Sequence, residues 1–403
     1  MSSSITGQQL LERANELELK RAQYIFYGIF LFSFAVQLAM RKQYIFLDTA
    51  MWADQIKYFL TNDPRVFDYY AAYGHPGTTL IVLGSLLNLI FGFSYNTAII
   101  ISISTLVAGT TAACSVLCFL LYQRLYWWLT TAIMLTFNRL SMYSTPPTEA
   151  VMPFIVLIVL ATWWTLEQKH TIPKRRFFIL GCIFGLSAAT RLDVSLLVCI
   201  PMAILIMYRQ GQKPALLLSI GVGTSFFLAN PFLWFMPLQH LSDLIHKFTL
   251  HHNLFDRHQV IETINYMHAS PLAIVSVLCA YILLCQRRLS PIIPSQIIIV
   301  YSGISVIGLI MVISSTFQAI RYLYPLIIVW EILLPLFVFE RFSPSNGLKA
   351  TTLDFKTPIS TKVIVCFIFL SQFFATRIGF DVISGIINFI FNVKITFTIP
   401  FNV

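Results

Sequence analysis

Charge is scarce in this chain. Asp, Glu, Lys and Arg make up 11% of its 403 residues, where a soluble domain carries about a quarter. Hydrophobic residues make up 57%, with a mean hydropathy of +0.75, so there is too little polar surface to wrap a soluble fold of this size. Strict apolar–polar alternation is missing as well. The apolar segments are continuous runs, many of 16 or more residues, which disfavours a β-barrel. Only helices or closed barrels satisfy their backbone hydrogen bonds in lipid. The fold class that remains is all-α, a polytopic transmembrane helical bundle. All seven cysteines lie inside apolar runs without ligand-like spacing and read as packing residues. No small-residue cleavage site follows the first apolar run, so 24–40 is expected to be a retained anchor. The net charge of +10 does not point to nucleic acid, because the basic residues sit mostly in short loops beside apolar runs, the pattern that orients membrane proteins.

What is present is a series of about eleven candidate spans: 24–40, 97–121, 126–140, 150–166, 177–190, 192–208, 214–234, 271–286, 295–314, 322–339 and 363–380. Residues 1–23 read as an amphipathic N-terminal segment, 24–340 as the main membrane module with long loops over 41–96 and 235–270, and 341–403 as a linker, a last span and a short tail. The run 76–93 is long enough to cross marginally, yet it opens on Pro76-Gly77 and contains Gly84 and Gly92. If it lies at the interface or is re-entrant, the basic loops at Arg124, Lys169–Arg176, Arg209–Lys213, Arg287-Arg288 and Arg341–Lys349 all share the side of the N-terminus. If it crosses, they flip outward. The positive-inside rule therefore expects a non-crossing 76–93 and a cytoplasmic N-terminus. The opposite face then collects most of the ionisable groups outside the basic loops.

Those groups have specific neighbours. Between Tyr44 and Thr79 lie Asp48, Asp54, Asp63, Asp68 and His75. Asp48 closely follows the first span, and Trp52 shares its helical face four positions on. A carboxylate near a low-dielectric boundary has its pKa pushed toward that of a general base, although the same residue could simply cap a helix. In Gly74-His75-Pro76-Gly77 the proline holds His75 extended and the glycines allow a sharp turn. Glu149 follows Pro146-Pro147, where an acidic first-turn residue also suits the helix dipole. Arg191 and Asp193 interrupt about thirty apolar residues, which is costly in a bilayer unless the charges pair, face a cavity or sit in a turn in water. Arg321 precedes Tyr322, Tyr324 and Pro325. Six of eight histidines, His251 and His252 among them, fall between His240 and His268 without compact metal spacing, and read first as a polar loop covering a cleft.

In order along the chain, Phe46-Leu47-Asp48-Thr49-Ala50-Met51-Trp52, Gly74-His75-Pro76-Gly77-Thr78-Thr79-Leu80, Thr148-Glu149-Ala150, Gly185 to Asp193, Asn230-Pro231-Phe232-Leu233-Trp234 and Arg321-Tyr322-Leu323-Tyr324-Pro325 resemble the GT-C glycosyltransferases that use polyprenyl-phosphate sugars. The branch with protein mannosyltransferases and bacterial aminoarabinose transferases is the most similar. The resemblance covers about residues 24–340. Where that family commonly has an Asp-Glu pair in its first outer loop, this chain has Asp48-Thr49, so Asp48 acts alone or Asp54 takes the second role. The Trp-Trp-Asp-Tyr-Gly signature of oligosaccharyltransferases is absent from the sequence.

The resemblance implies a membrane glycosyltransferase that passes a sugar from a polyprenyl phosphate to a hydroxyl of a lipid, glycan or protein acceptor on the outer face, with inversion. It implies Asp48 and Asp54 as catalytic residues, and His75, Glu149, Arg191, Asp193, His251, Arg321 and Tyr322 around the substrates. Expected partners are the lipid-linked donor, the acceptor and membrane lipids, with no nucleic acid. No cofactor is expected, with a divalent metal left open. The expected location is multi-pass in a membrane, with a bacterial plasma membrane favoured. A flippase for lipid-linked sugars, for which no inverted repeat is evident, and a non-catalytic assembly subunit are the rival readings.

Overall fold

The computed structural model describes residues 7–41, 47–65, 78–122, 125–136, 173–190 and 192–235, with 237, 238 and 242. All regular elements among these are helices: α1 (Gly7–Arg41), α2 (Leu47–Leu60), α3 (Thr78–Phe91), α4 (Tyr95–Tyr122), α5 (Leu125–Thr136), α6 (Arg175–Thr190), α7 (Leu192–Gln210), α8 (Gln212–Leu228) and the short α9 (Pro231–Phe235). Two of them contain stretches long and apolar enough to cross a membrane, Leu17–Ala39 in α1 and Tyr95–Leu117 in α4.

Local sequence accounts for the boundaries. The polar residues 7–23 and the apolar residues after them form one continuous 35-residue helix, because the stretch holds no proline and is rich in Leu, Ala, Glu and Gln, all good helix formers. The span expected over 214–234 ends instead at Leu228, and the chain turns at Ala229-Asn230 before α9. Pro231 is the reason, since it lacks an N–H and suits only the first position of a new helix. Between α3 and α4 the turn passes through Gly92 at φ +67, a conformation open chiefly to glycine. The Asn88 side chain closes it by donating to the Phe93 carbonyl at 2.7 Å.

Two packing groups stand out. In the first, α1, α4 and α5 meet around Ile29, Ala112 and Ala132, with Ile25, Phe26, Phe30 and Trp128 set against them. Further along, the Gln37 amide donates to the Thr136 carbonyl at 3.0 Å. Residues ascend together along α1 and α5, so these two helices run parallel, and α4, which is separated from α5 by two residues and packs against both, runs antiparallel to them. In the second group α6 packs closely on α8. A Cβ placed on Gly181 or Gly221 would collide with the facing helix backbone, at Leu218 for the first and at Phe178 and Cys182 for the second, and one on Gly185 would collide with Val222, Ser225 and Phe226. The Gly181-x-x-x-Gly185 and Gly221-x-x-x-Ser225 rows are thus small-residue faces that let the two helix backbones approach closely.

Helix α3 joins these groups, touching α4, α2 and α6. Its first half is buried and its last turn exposed. Fourteen residues span about 21 Å, short of the ~30 Å hydrocarbon core.

The glycine contacts predict a position-dependent cost. Gly221→Ala should destabilise the chain in detergent by about 1–3 kcal/mol through overpacking. Gly223→Ala, where nothing lies within 4 Å, should be neutral or stabilise by up to about 1 kcal/mol from helix propensity. Paired unfolding curves check this.

Candidate functional site

Helix α3 begins directly after the Gly74-His75-Pro76-Gly77 motif, and its first two side chains do the joining. The Thr78 hydroxyl donates to the Ala189 carbonyl at 3.0 Å. The Thr79 hydroxyl donates to the Leu186 carbonyl at 3.1 Å, an oxygen that also accepts from the Thr190 hydroxyl at 2.8 Å. Thr78, Thr79 and Thr190 are all buried. The last four carbonyls of a helix have no intrahelical partner, so Ala189 at the end of α6 offers an open acceptor that the start of α3 meets. Ser187 and Ser195, both fully buried, share a hydroxyl–hydroxyl bond of 2.8 Å that ties α6 to α7 just past the same point.

Two sequence motifs separated by more than 100 residues therefore meet. His75 precedes Thr78 by three positions, and Arg191 follows Ala189 by two. Asp193 is the second residue of α7. His75, Glu149, Arg191, His251, Arg321 and Tyr322 themselves lie outside the described residues.

Asp48 is the second residue of α2 and Asp54 the eighth. Trp52, Ala53, Gln55 and Ile56 are buried, while Asp54 and Lys57 are exposed. The helical register places position 48 in line with 52, 55 and 56, the row that packs toward α3 and α4, whereas Asp54 belongs to the open side. Trp52 is 6% exposed and part of the core. Ile56 meets α3 at Gly84, where any Cβ would strike its side chain. Thr78, Thr79 and Gln55 were not singled out in the sequence reading. The available signals were two hydroxyls immediately after a His-Pro-Gly turn, and an amide two turns beyond Asp48.

Beyond α2 the chain makes a charged corner. Asn62 at φ 53 reverses the backbone, and the Arg65 guanidinium grips the Asp63 carboxylate through Nε at 3.0 Å and Nη2 at 2.6 Å. The Arg65 backbone N–H adds a bond of 3.0 Å, and the guanidinium lies 4.5 Å from the Tyr58 ring centroid. These hydrogen bonds, the guanidinium first and the backbone N–H next, hold the Asp63 pKa down at about 2.

Comparison with known proteins finds no family model, no curated protein and no solved structure that matches the chain.

Thr78→Val keeps shape and removes the donor to Ala189, and should cost about 1–2 kcal/mol in stability. Thermal unfolding of purified protein checks it. The Asp63–Arg65 contact contributes stability that is fully present above the ordinary carboxylate pKa and lost as pH falls from about 4 toward 2. Native and Asp63→Asn chains should therefore unfold alike near pH 2, with the native chain the more stable above pH 4. The gap should be small, as for any exposed pair.

Proposed function

We propose that this chain is a multi-pass GT-C-type membrane glycosyltransferase that moves a sugar from a polyprenyl phosphate to an acceptor hydroxyl on the outer face of the membrane. The observation that carries this reading is the meeting of the His75 motif and the Arg191–Asp193 motif through Thr78, Thr79, Leu186 and Ala189, because both motifs are among those that resemble the family. A lipid-linked donor enters sideways between helices, so its phosphate and sugar need polar groups gathered at one depth beside the apolar body. The α3–α6 junction is such a place.

The helix directions support the proposed orientation. A chain that leaves the cytoplasm along α1 returns along α4 and goes out again along α5. Because α4 runs antiparallel to α1, the intervening short α3 adds no net crossing between them, as this orientation requires. The N-terminus is cytoplasmic in this arrangement, about eleven spans follow, and a bacterial plasma membrane is the natural setting.

In the proposed step Asp48 takes the proton of the acceptor hydroxyl. The freed oxygen attacks the anomeric carbon from the face opposite the phosphate, and the carbon–oxygen bond to the phosphate breaks with its electron pair leaving on the lipid phosphate. The configuration inverts. Asp54 or Glu149 orients the acceptor, with His75, Asp193, His251 and Tyr322 around the substrates. Arg191 and Arg321 stabilise the charge that develops on the departing phosphate. The exposure of Asp54 favours Asp48 as the base.

Purified chain in lipid, given a mixed pool of polyprenyl-phosphate sugars, should transfer sugar. Asp48→Asn should lower the rate about 10²–10⁴-fold without altering folding, and Asp54→Asn should lower it far less. Equal transfer by native chain and Asp48→Asn would reassign the base. Donor binding without transfer would favour a flippase or an assembly subunit.

A further inference from the structure

Resting on the transferase reading, we infer that Gln55, Ser85 and Ser104 form a neutral subsite that binds hydroxyl groups of the sugar on the lipid-linked donor. The Gln55 Nε2, Ser85 Oγ and Ser104 Oγ atoms are buried without a hydrogen-bond partner among the described residues, and the three residues are 1%, 3% and 0% exposed. They stand on α2, α3 and α4, each of which packs against the other two. Gln55 and Ser85 are the chain neighbours of Ile56 and Gly84, whose contact sets how α2 lies on α3. The α3–α4 hairpin, turning over 92–94, brings position 104 to within about 5 Å of the level of Ser85 along the helix axis.

Other hydroxyls nearby behave differently. Ser102, Thr110, Thr111 and Ser115 on α4 each donate to the carbonyl four residues earlier, the local solution open to any helical Ser or Thr. Ser85 and Ser104 do not take it. Leaving a buried amide donor unmet costs about 1–3 kcal/mol, so each of these groups on mutually packed helices calls for a polar partner.

The chemistry of the occupant follows from charge. Helices α3 and α4 contain no Asp, Glu, Lys or Arg, and Asp54 and Lys57 on α2 are exposed. Nothing in these three elements suits the phosphate. An amide and two hydroxyls, which donate and accept, match a ring of sugar hydroxyls. Gln55 also lies seven residues beyond Asp48, about 10 Å along α2, which leaves room for the reacting carbon at the base and the rest of the sugar alongside the helix.

The test uses the full-length chain in lipid nanodiscs, with a pool of polyprenyl-phosphate hexoses and pentoses as one probe and the same polyprenyl phosphate without sugar as the other. Gln55→Leu should weaken binding of the sugar-bearing lipid at least ten-fold, leave binding of the sugar-free lipid unchanged, and leave the thermal midpoint unchanged or raised. Equal binding of the sugar-bearing lipid by native and variant chains, with native transfer intact, would overturn the subsite alone. A lowered midpoint with unchanged binding would also overturn it, assigning the three groups to structural water. Binding that depends on Gln55 in a chain that never transfers sugar would sustain the subsite and overturn the transferase reading. If Gln55→Leu does not fold, Ser85→Ala and Ser104→Ala make the same comparison, with the same outcomes for and against.

Discussion

The approach of α6 to α8 is the contact on which the candidate site depends. Gly181, Gly185 and Gly221 have no side chain to hold the backbones apart, and the facing carbonyls and backbone atoms sit where a Cβ would go. That contact fixes α6 as a rigid post. The end of the post then presents the carbonyls of Leu186 and Ala189 to α3. In a chain so poor in charge, helix ends and hydroxyls join the elements, since a carbonyl left unmet in an apolar interior is expensive and a short hydroxyl side chain can meet it.

The same rule organises the other buried polar groups. Along α4, α6 and α8 most inward hydroxyls return to their own helix four residues back, which lets a helix bury oxygen without asking anything of its neighbours. The exceptions carry the architecture. Thr78 and Thr79 bond across to α6, the Ser187–Ser195 pair bonds across to α7, and Gln37 reaches from α1 to the last carbonyl of α5. The threonine and glutamine bonds join elements about 100 residues apart in sequence, and the serine pair ties consecutive helices.

Function and stability divide α2 between them. Its inward row, Trp52, Gln55 and Ile56, is packed, and its outward row, Asp54 and Lys57, is in the open. Asp48 stands one turn before Trp52 on the same helix. The corner made by Asp63, Arg65 and Tyr58 ends α2 at the surface, where the ion pair is exposed and contributes direction more than energy.

Much was determined by the sequence alone. Low charge and continuous apolar runs dictate helices, because a helix satisfies its own backbone within one segment, and Pro231, Gly92 and Gly211 mark turns that the backbone makes. The ambiguous status of 76–93 was also legible in its glycines and its length. Tertiary structure alone decided which motifs meet. That Thr78 pairs with Ala189, that Asp54 faces outward while Trp52 is buried, and that Gln55 lies at the level of Ser85 all depend on contacts between residues roughly 30 to 110 positions apart. Periodicity names the face of a helix but not the neighbour that covers it, because that choice is made by the fit of small residues against a particular partner backbone, and no local pattern encodes the partner.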